Sequence, residues 1–364
     1  MPTIQPGRLQ QLLTDMVNMY SPSGKEAQIV QFLSGYLMEH DLPVTLRPVT
    51  EGRWNIEVLF DPQPEVAFIG HVDTVPAFDI ESYEAQAEDG IMHGLGTADM
   101  KGGCAAMIEA FISARDAGFT PAKAALFLVV GEEESGDGTS TLLESVRFPW
   151  AIVAEPTNLT PCLKHYGYIE MLIQASGRRR HAAMACREYN AILNLLHTLV
   201  RLAETMESDY PQAVLNIRSV HSSESGFAVP GSCEAWVDLH IPPSVALSSC
   251  AAQLHDLAAA CLQKSSLTHS HVEFPLLAAG YDLPETGFLP EILKTVFTDL
   301  RLPWQHGAFR SHSDANLLRE AGCAPIILGP GELARAHTRE ECVAVSQVVM
   351  AAHIYLGILE QLQA

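Results

Sequence analysis

Residues 66–73, Val66-Ala67-Phe68-Ile69-Gly70-His71-Val72-Asp73, join a short apolar run directly to an imidazole and a carboxylate. The pattern recurs twice, because residues 124–130 precede a run of glutamates at 132–134, and residues 151–153 precede Glu155. Short runs rich in Val, Ile, Leu and Phe that end at Gly or Pro are typical of strands buried on both faces. In an open α/β sheet, ligands bind beyond the carboxyl ends of such strands. The sequence therefore predicts one binding site at this edge of a sheet.

The order of the predicted elements indicates two domains. Strands and helices alternate as far as residue 161, which is typical of a mostly parallel sheet covered by helices. Over residues 166–276 the order becomes β-α-β-β-α-β, that of a ferredoxin-like α+β insert. A helix, a strand and a closing helix, predicted from residue 341, follow. We therefore predict an α/β fold in which residues 1–165 and 277–364 form one domain and residues 166–276 form an inserted, smaller one.

The composition argues against several classes of protein. The chain has 364 residues, of which 48% are hydrophobic, enough for a sizeable core, and a formal net charge of −21. Nucleic acids and anionic membranes attract basic surfaces, so we expect neither as a partner. Residues 1–11 lack the features of a signal peptide, and no apolar run approaches the length of a membrane span. The eight cysteines are dispersed without a CxxC pair, which favours a reducing compartment, and we expect a cytoplasmic protein.

Imidazole and carboxylate side chains in these settings form a candidate site for two divalent metal ions. Asp99 lies in a glycine-flanked loop, residues 94–103, which would allow its carboxylate to reach between two ions. Such ligands without thiolate favour zinc, with cobalt or manganese as substitutes. A neighbouring glutamate could act as a base, although the residues alone do not decide the roles within the run 132–134. The candidate ligands are His71, Asp99, Glu134, Glu155 and His337, with Glu133 beside them.

Asp73 stands two residues after His71, so in an extended chain both side chains lie on the same side. Its carboxylate is predicted to accept the second imidazole N–H and so to fix the tautomer. Each feature of the candidate site also has a simpler explanation: a histidine after a strand is often structural, and a run of glutamates is usually a solvated turn. Because these explanations would have to hold independently at every position, the combination favours a metal site.

Short segments along nearly the whole chain match a known family. They are residues 21–24, 70–76, 99–103, 133–134 with Gly136, 155–157, 329–331, 336–337 and 341–343. They resemble the co-catalytic di-zinc metallopeptidase family that includes acetylornithine deacetylase, succinyl-diaminopimelate desuccinylase, peptidase T and carboxypeptidase G. The resemblance implies a zinc-peptidase-like catalytic domain and an inserted lid domain through which the chain forms a homodimer.

The resemblance also implies a role for each residue of the candidate site. Glu133 would be the general base, taking a proton from a metal-activated water and passing it to the leaving amine. A cis peptide is implied between Asp99 and Met100. The implied ligands are His71 and Glu155 for one ion, Glu134 and His337 for the other, and Asp99 as the bridge.

Two further residues are predicted to contact the substrate. The resemblance implies that His181 of one subunit donates to the oxyanion at its partner's site; a surface histidine beside the arginines at 178–180 is the alternative. Arg310 could clamp a substrate carboxylate, or could belong to a structural ion pair. The lid departs from the family pattern at Ala185, Glu188, Phe227 and His240, the last of which stands where the family has arginine.

The predicted function is hydrolysis of an amide bond in an N-acyl amino acid or a short peptide. Deacylase and peptidase activities fit the sequence equally well, and the altered lid leaves the substrate open. The alternative is a catalytically idle member that binds a ligand or serves in an assembly. The complete set of candidate ligands, with Glu133 beside it, favours the enzyme.

Overall fold

The computed structural model describes residues 3–77, 83–223, 226–263 and 266–363. The chain forms two compact units. The first contains Met1–Leu163, Leu283–Phe309 and Ser313–Ala364, and the second contains Lys164–Asp282 and Arg310–His312. The second unit therefore continues beyond residue 276 as far as Asp282, and it takes up a short segment that the sequence analysis assigned to the first domain.

The secondary structure alternates between strands and helices. The strands are β1 (Val44–Thr50), β2 (Arg53–Leu59), β3 (Val66–His71), β4 (Gln86–Glu88), β5 (Ile91–His93), β6 (Ala124–Val129), β7 (Trp150–Val153), β8 (Cys162–His165), β9 (Gly167–Ser176), β10 (Val214–Ser222), β11 (Ser232–Ile241), β12 (His269–Ala278), β13 (Tyr281–Asp282), β14 (Gly307–Phe309), β15 (Ala324–Ile327) and β16 (Cys342–Ala344). The helices are α1 (Pro6–Val17), α2 (Ala27–Glu39), α3 (Gly102–Asp116), α4 (Asp137–Ser145), α5 (Ala191–Asp209), α6 (Leu247–Gln263), α7 (Phe288–Asp299), α8 (Asp314–Glu320) and α9 (Val345–Gln361). In the described parts of the chain, no helix combines the length and the apolar character needed to cross a bilayer.

The first unit is built on a mixed sheet with a parallel centre. Its strands follow the order β1-β2-β6-β3-β7-β15-β8. The four central strands β6, β3, β7 and β15 are parallel, and antiparallel strands flank them on both sides. Strands β3 and β6 are buried along their whole length, as expected for apolar runs that are covered on both faces. The predicted α/β fold class is confirmed.

Aromatic packing joins the central sheet to the helices of the first unit. The Phe68 ring in β3 makes edge-to-face contacts with Phe111 of α3 at 5.4 Å and with Tyr355 of α9 at 5.9 Å between centroids. The Tyr355 hydroxyl donates to the main-chain oxygen of Leu328, so its polar end is satisfied in the core. These contacts hold the strand that ends at His71.

The second unit has the predicted order β9-α5-β10-β11-α6-β12. Strands β9 to β12 form a four-stranded antiparallel sheet in the order β10-β11-β9-β12, the ferredoxin-like arrangement. Helices α5 and α6 cover one face, and their apolar side chains meet those of β9 and β11. This core includes Ile169, Met171, Ile173, Leu195, Leu199, Val237, Leu239 and Leu254.

The last helix of the chain begins later than predicted. Residues 342–344 form strand β16, which pairs with β5 through Cys342 and His93, and helix α9 begins only at Val345. The apolar pattern around Val343 fits either structure, and pairing with β5 decides between them. Glu341 consequently precedes a strand rather than lying in a helix.

Candidate metal centre

The register of the central strands brings their carboxyl ends together. Strand β3 pairs His71 with Val129 of β6, and Ile69 with Val153 of β7. The His71 side chain is buried, and its Nδ1 lies 3.0 Å from the main-chain oxygen of Asp73. Because a carbonyl can only accept, Nδ1 carries the proton and Nε2 is the atom available to a metal ion.

The Asp73 carboxylate contacts groups other than the predicted imidazole N–H. Its oxygen lies 3.6 Å from Nδ1 of His71, and the main-chain carbonyl of Asp73 accepts the imidazole N–H instead. The carboxylate accepts from the Ser23 hydroxyl at 2.6 Å and from the main-chain N–H groups of Glu132 at 3.3 Å and Glu133 at 3.1 Å. Asp73 therefore ties the end of β3 to the turn that bears the glutamates.

Asp99 lies between two histidines. The chain passes through Gly96 with φ +81° into an irregular helical turn, and the Asp99–Met100 peptide is cis, as the resemblance implies. One carboxylate oxygen of Asp99 lies 3.2 Å from Nε2 of His71. The other lies 3.4 Å from Nε2 of His337. A carboxylate that faces two imidazoles in this way is placed to bridge two ions.

Two groups of potential ligands share Asp99. One consists of His71, Asp99 and Glu155, and the other of Asp99, Glu133 and His337; within each group the ligand atoms lie within 4.8 Å of one another. Glu155 follows β7 and places an oxygen 3.8 Å from Nε2 of His71. The two carboxylate oxygens of Glu133 lie 3.2 and 3.1 Å from Nε2 of His337. The structure therefore brings four of the five predicted ligands together.

The glutamates that face the site are each one residue earlier in the sequence than predicted. After β6 the chain turns back on itself, closed by hydrogen bonds to the main-chain oxygen of Gly131. Glu132 faces the site, with a carboxylate oxygen 3.8 Å from Nε2 of His71. Glu134 is exposed on the outer side of the turn and belongs to neither ligand group. The predicted ligand Glu134 thus lies outside the site, and the predicted base Glu133 occupies a ligand position.

Glu132 is the site residue that the sequence analysis missed. The sequence analysis gave Glu132 no role in the site, whereas its side chain is only 9% exposed and lies beside His71. No feature of three consecutive glutamates distinguishes them, because the face that each one takes depends on the hydrogen bonds of the turn. The hydrogen bonds from the main-chain N–H groups of this turn to the Asp73 carboxylate supply that information only in the folded protein.

The charges of the site fit a divalent metal centre. Burial raises the pKa of the Glu132, Glu133 and Glu155 carboxyls. Burial opposes ionisation of Asp99 as well, but its contacts with two imidazoles hold its pKa well below the usual range. Burial lowers the pKa of His337, yet Asp99 and Glu133 outweigh it and raise that pKa to about 11. Four largely buried carboxylates need positive charge nearby to compensate them, and this set of oxygen and nitrogen donors suits zinc.

The two predicted substrate contacts lie in the second unit. His181 is exposed, and its Nδ1 accepts from the main-chain N–H of Ala183 at 3.2 Å. Arg310 is exposed, with its guanidinium 5.9 Å from the centre of the Tyr166 ring. Contact of either side chain with a substrate stays a prediction.

The positions that depart from the family pattern lie in the second unit. Ala185, Glu188 and Phe227 are exposed, whereas His240 lies beside Tyr168 with their rings 5.3 Å apart. Burial lowers the pKa of His240.

Comparisons with known proteins agree with this architecture. A model of Peptidase family M20/M25/M40 matches residues 67–361. Acetylornithine deacetylase of Salmonella paratyphi B is 26% identical over 339 residues, covering 86% of this chain and 85% of that protein. Aminopeptidase PepT from Bacillus cereus has the same fold, with a TM-score of 0.80 at 18% identity over 99% of this chain and 100% of that one. An M20 family metallo-carboxypeptidase from Sulfolobus solfataricus has a TM-score of 0.75 at 12% identity, over 97% and 99% of the two chains.

The family match includes every residue of the two ligand groups. It begins at residue 67, before His71, and ends after His337, so it includes segments of the first unit on both sides of the second unit. The solved structures named above share the fold over nearly the whole chain. The chain therefore belongs to peptidase family M20/M25/M40 and is a metal-dependent hydrolase.

Proposed function

We propose that the protein binds two divalent ions, best suited to Zn²⁺, and cleaves the amide bond of an N-acyl amino acid or a short peptide. The main support is that two groups of three ligands share Asp99. One ion would be held by His71, Asp99 and Glu155, and the other by Asp99, Glu133 and His337. Cobalt or manganese could replace zinc, because imidazole and carboxylate also bind these metals.

We assign the base to Glu132 in place of Glu133. When bound, divalent ions of this kind polarise an amide carbonyl and lower the pKa of water. Glu132 belongs to neither ligand group, and its carboxylate oxygen lies 3.8 Å from Nε2 of His71. Burial raises its pKa, which suits a carboxylate that accepts a proton near neutral pH and returns it to the leaving amine.

The other predicted residues support this reaction in the proposal. Asp73 keeps the proton of His71 on Nδ1 through its carbonyl, and it holds the turn of Glu132 and Glu133 through its carboxylate. His181 would donate a hydrogen bond to the oxyanion in the partner's site. Arg310, which is exposed, would bind a substrate carboxylate.

A second copy of this chain is the partner that we propose for the second unit. Strand β10 lies at the edge of its sheet, and an edge strand leaves main-chain groups available for pairing with another strand. Apolar side chains are exposed on this edge and on the neighbouring helix α5: Val214, Ile217, Val220, Leu193, Leu196 and Val200. Such an apolar edge fits a homodimer, which the position of His181 in the proposal requires. A cytoplasmic location, where free thiols persist, is part of the same proposal.

The proposal is tested with zinc-loaded protein and a panel of dipeptides, N-acetyl amino acids and N-succinyl amino acids. Metal content per chain is measured first by atomic emission, and the Glu132→Gln variant serves as the blank. We expect turnover of one class above that blank, which would also separate peptidase from deacylase activity. Protein that contains two ions per chain and turns over nothing on the panel would contradict the proposal and favour an idle, ligand-binding role.

A further inference from the structure

A buried carboxylate outside the ligand groups contacts the loop that bears Asp99. Glu341 lies four residues after His337 and is 3% exposed. One of its oxygens accepts the main-chain N–H of Gly96 at 3.0 Å. The other accepts the main-chain N–H groups of Ala98 at 3.0 Å and Asp99 at 3.1 Å. Three main-chain N–H groups therefore converge on this one side chain and attach it firmly to the loop.

The backbone of Glu341 is itself fixed beside this loop. Its main-chain oxygen accepts the N–H of Gly94 at 3.2 Å, and the next residue, Cys342, pairs with His93 in the sheet of β16 and β5. Glu341 is therefore held through both its side chain and its main chain. The segment that bears His337 and the loop that bears Asp99 are joined through this one residue.

The loop depends on such attachments because it is irregular. Asp99 and Met100 have non-helical backbone angles within the turn Thr97–Lys101. At the far end of the turn, the buried Lys101 ammonium donates to the main-chain oxygens of Met16 at 3.0 Å and Met19 at 2.9 Å. Glu341 holds the side of the loop before the cis peptide, and Lys101 holds the side after it.

We propose that Glu341 is a positioning residue of the metal centre, which fixes Asp99 between His71 and His337 through the main-chain N–H groups of the loop. The inference rests on the proposed function, in which Asp99 bridges the two ions. Glu341 belongs to neither ligand group, and in this proposal it acts only by orienting Asp99. Outer groups that orient ligands commonly change metal affinity when they are replaced.

Two substitutions at residue 341 test this role. Glu341→Gln keeps the shape but replaces one accepting oxygen with an NH₂ group, which cannot accept from the loop. Glu341→Asp keeps the charge on a side chain one methylene shorter, so it can restore only part of the contacts. Glu109→Gln is the matched control, because the Glu109 carboxylate is also buried and accepts a main-chain N–H, that of Gln5 at 2.8 Å, away from both ligand groups.

The readouts are the zinc affinity by competition with a chromogenic chelator, the absorption spectrum of the Co²⁺-loaded protein, and the Tm of the metal-free protein. We expect Glu341→Gln to weaken zinc binding by about ten- to a hundredfold and to alter the Co²⁺ spectrum. Glu341→Asp should lie between this variant and the parent. Glu109→Gln should lower the Tm while leaving zinc affinity and spectrum unchanged. If Glu341→Gln fails to fold, Glu341→Asp provides the test.

The outcomes separate this inference from the proposed function. Parental zinc affinity and spectrum in the Glu341 variants would overturn the inference, and so would an equal loss of affinity in Glu109→Gln, which would indicate general destabilisation. The Asp99→Ala variant tests the ligand set itself. A parent that binds no zinc, or an Asp99→Ala variant that binds zinc as the parent does, would overturn both. Loss of metal in Asp99→Ala with parental binding in the Glu341 variants would refute the positioning role alone.

Discussion

The glutamate run after β6 allows three chemically identical substitutions with different expected effects. Glu132→Gln should retain both ions, because the Glu132 oxygens belong to neither ligand group. Its carboxylate lies 3.8 Å from Nε2 of His71, beside the atom that is available to a metal ion. A positioned base contributes about 10²–10⁴-fold in rate. We therefore expect kcat/KM to fall by this factor, which corresponds to an increase of about 3–5 kcal/mol in activation free energy.

Glu133→Gln should instead lose metal. Asp99, Glu133 and His337 form one ligand group. After the substitution, only the Asp99 carboxylate and the His337 imidazole remain in it as metal ligands. The Glu133 oxygens lie 3.1 and 3.2 Å from Nε2 of His337, so removing their charge weakens this position directly. We expect the zinc content to fall from about two ions per chain to about one.

Glu134→Gln is the control within the same turn. Its side chain is exposed and outside both groups, so we expect parental metal content and activity, and a stability change within about 0.5 kcal/mol. The assay combines zinc content after gel filtration, kcat/KM and thermal denaturation for all three variants. Loss of an ion in Glu134→Gln, with two ions kept in Glu133→Gln, would refute our placement and restore the roles implied by the resemblance.

Three further predictions concern residues outside the two ligand groups. Gly103→Ala would place a Cβ against the carbonyl oxygen of Ala154, the residue before Glu155. We expect the free energy of unfolding to fall by about 1–3 kcal/mol and the zinc content to decrease. An unchanged Tm would contradict this. Asp73→Asn should reduce metal affinity or kcat/KM by about 10–100-fold, because the turn of the glutamates loses a charged acceptor; parental values for both would show that the contact is dispensable. Ile217→Lys places a charge on the exposed edge of β10, and light scattering should show a monomer where the parent is a dimer; a dimer of parental mass would refute the proposed interface.

Much of the site follows from patterns that are local in sequence. A strand buried on both faces is apolar along its whole length. The ends of β3, β6 and β7 can therefore be predicted from the sequence. Parallel strands end at one edge of the sheet, which is why His71 and Glu155 could be expected to meet. The glycines around Asp99 likewise mark a loop before its path is known.

What the sequence alone determined is the sheet, the inserted unit and the neighbourhood of the candidate metal centre, because burial and strand order leave a local pattern in the chain. Only the tertiary structure decided which glutamate of the run faces His337, since that depends on a turn held by Asp73 from 60 residues away. It also decided the contacts of Glu341, whose partners on the Asp99 loop lie up to 245 residues away in the sequence. Hydrogen bonds between distant segments have no local period, so three identical carboxylates acquire different positions only when the chain is folded.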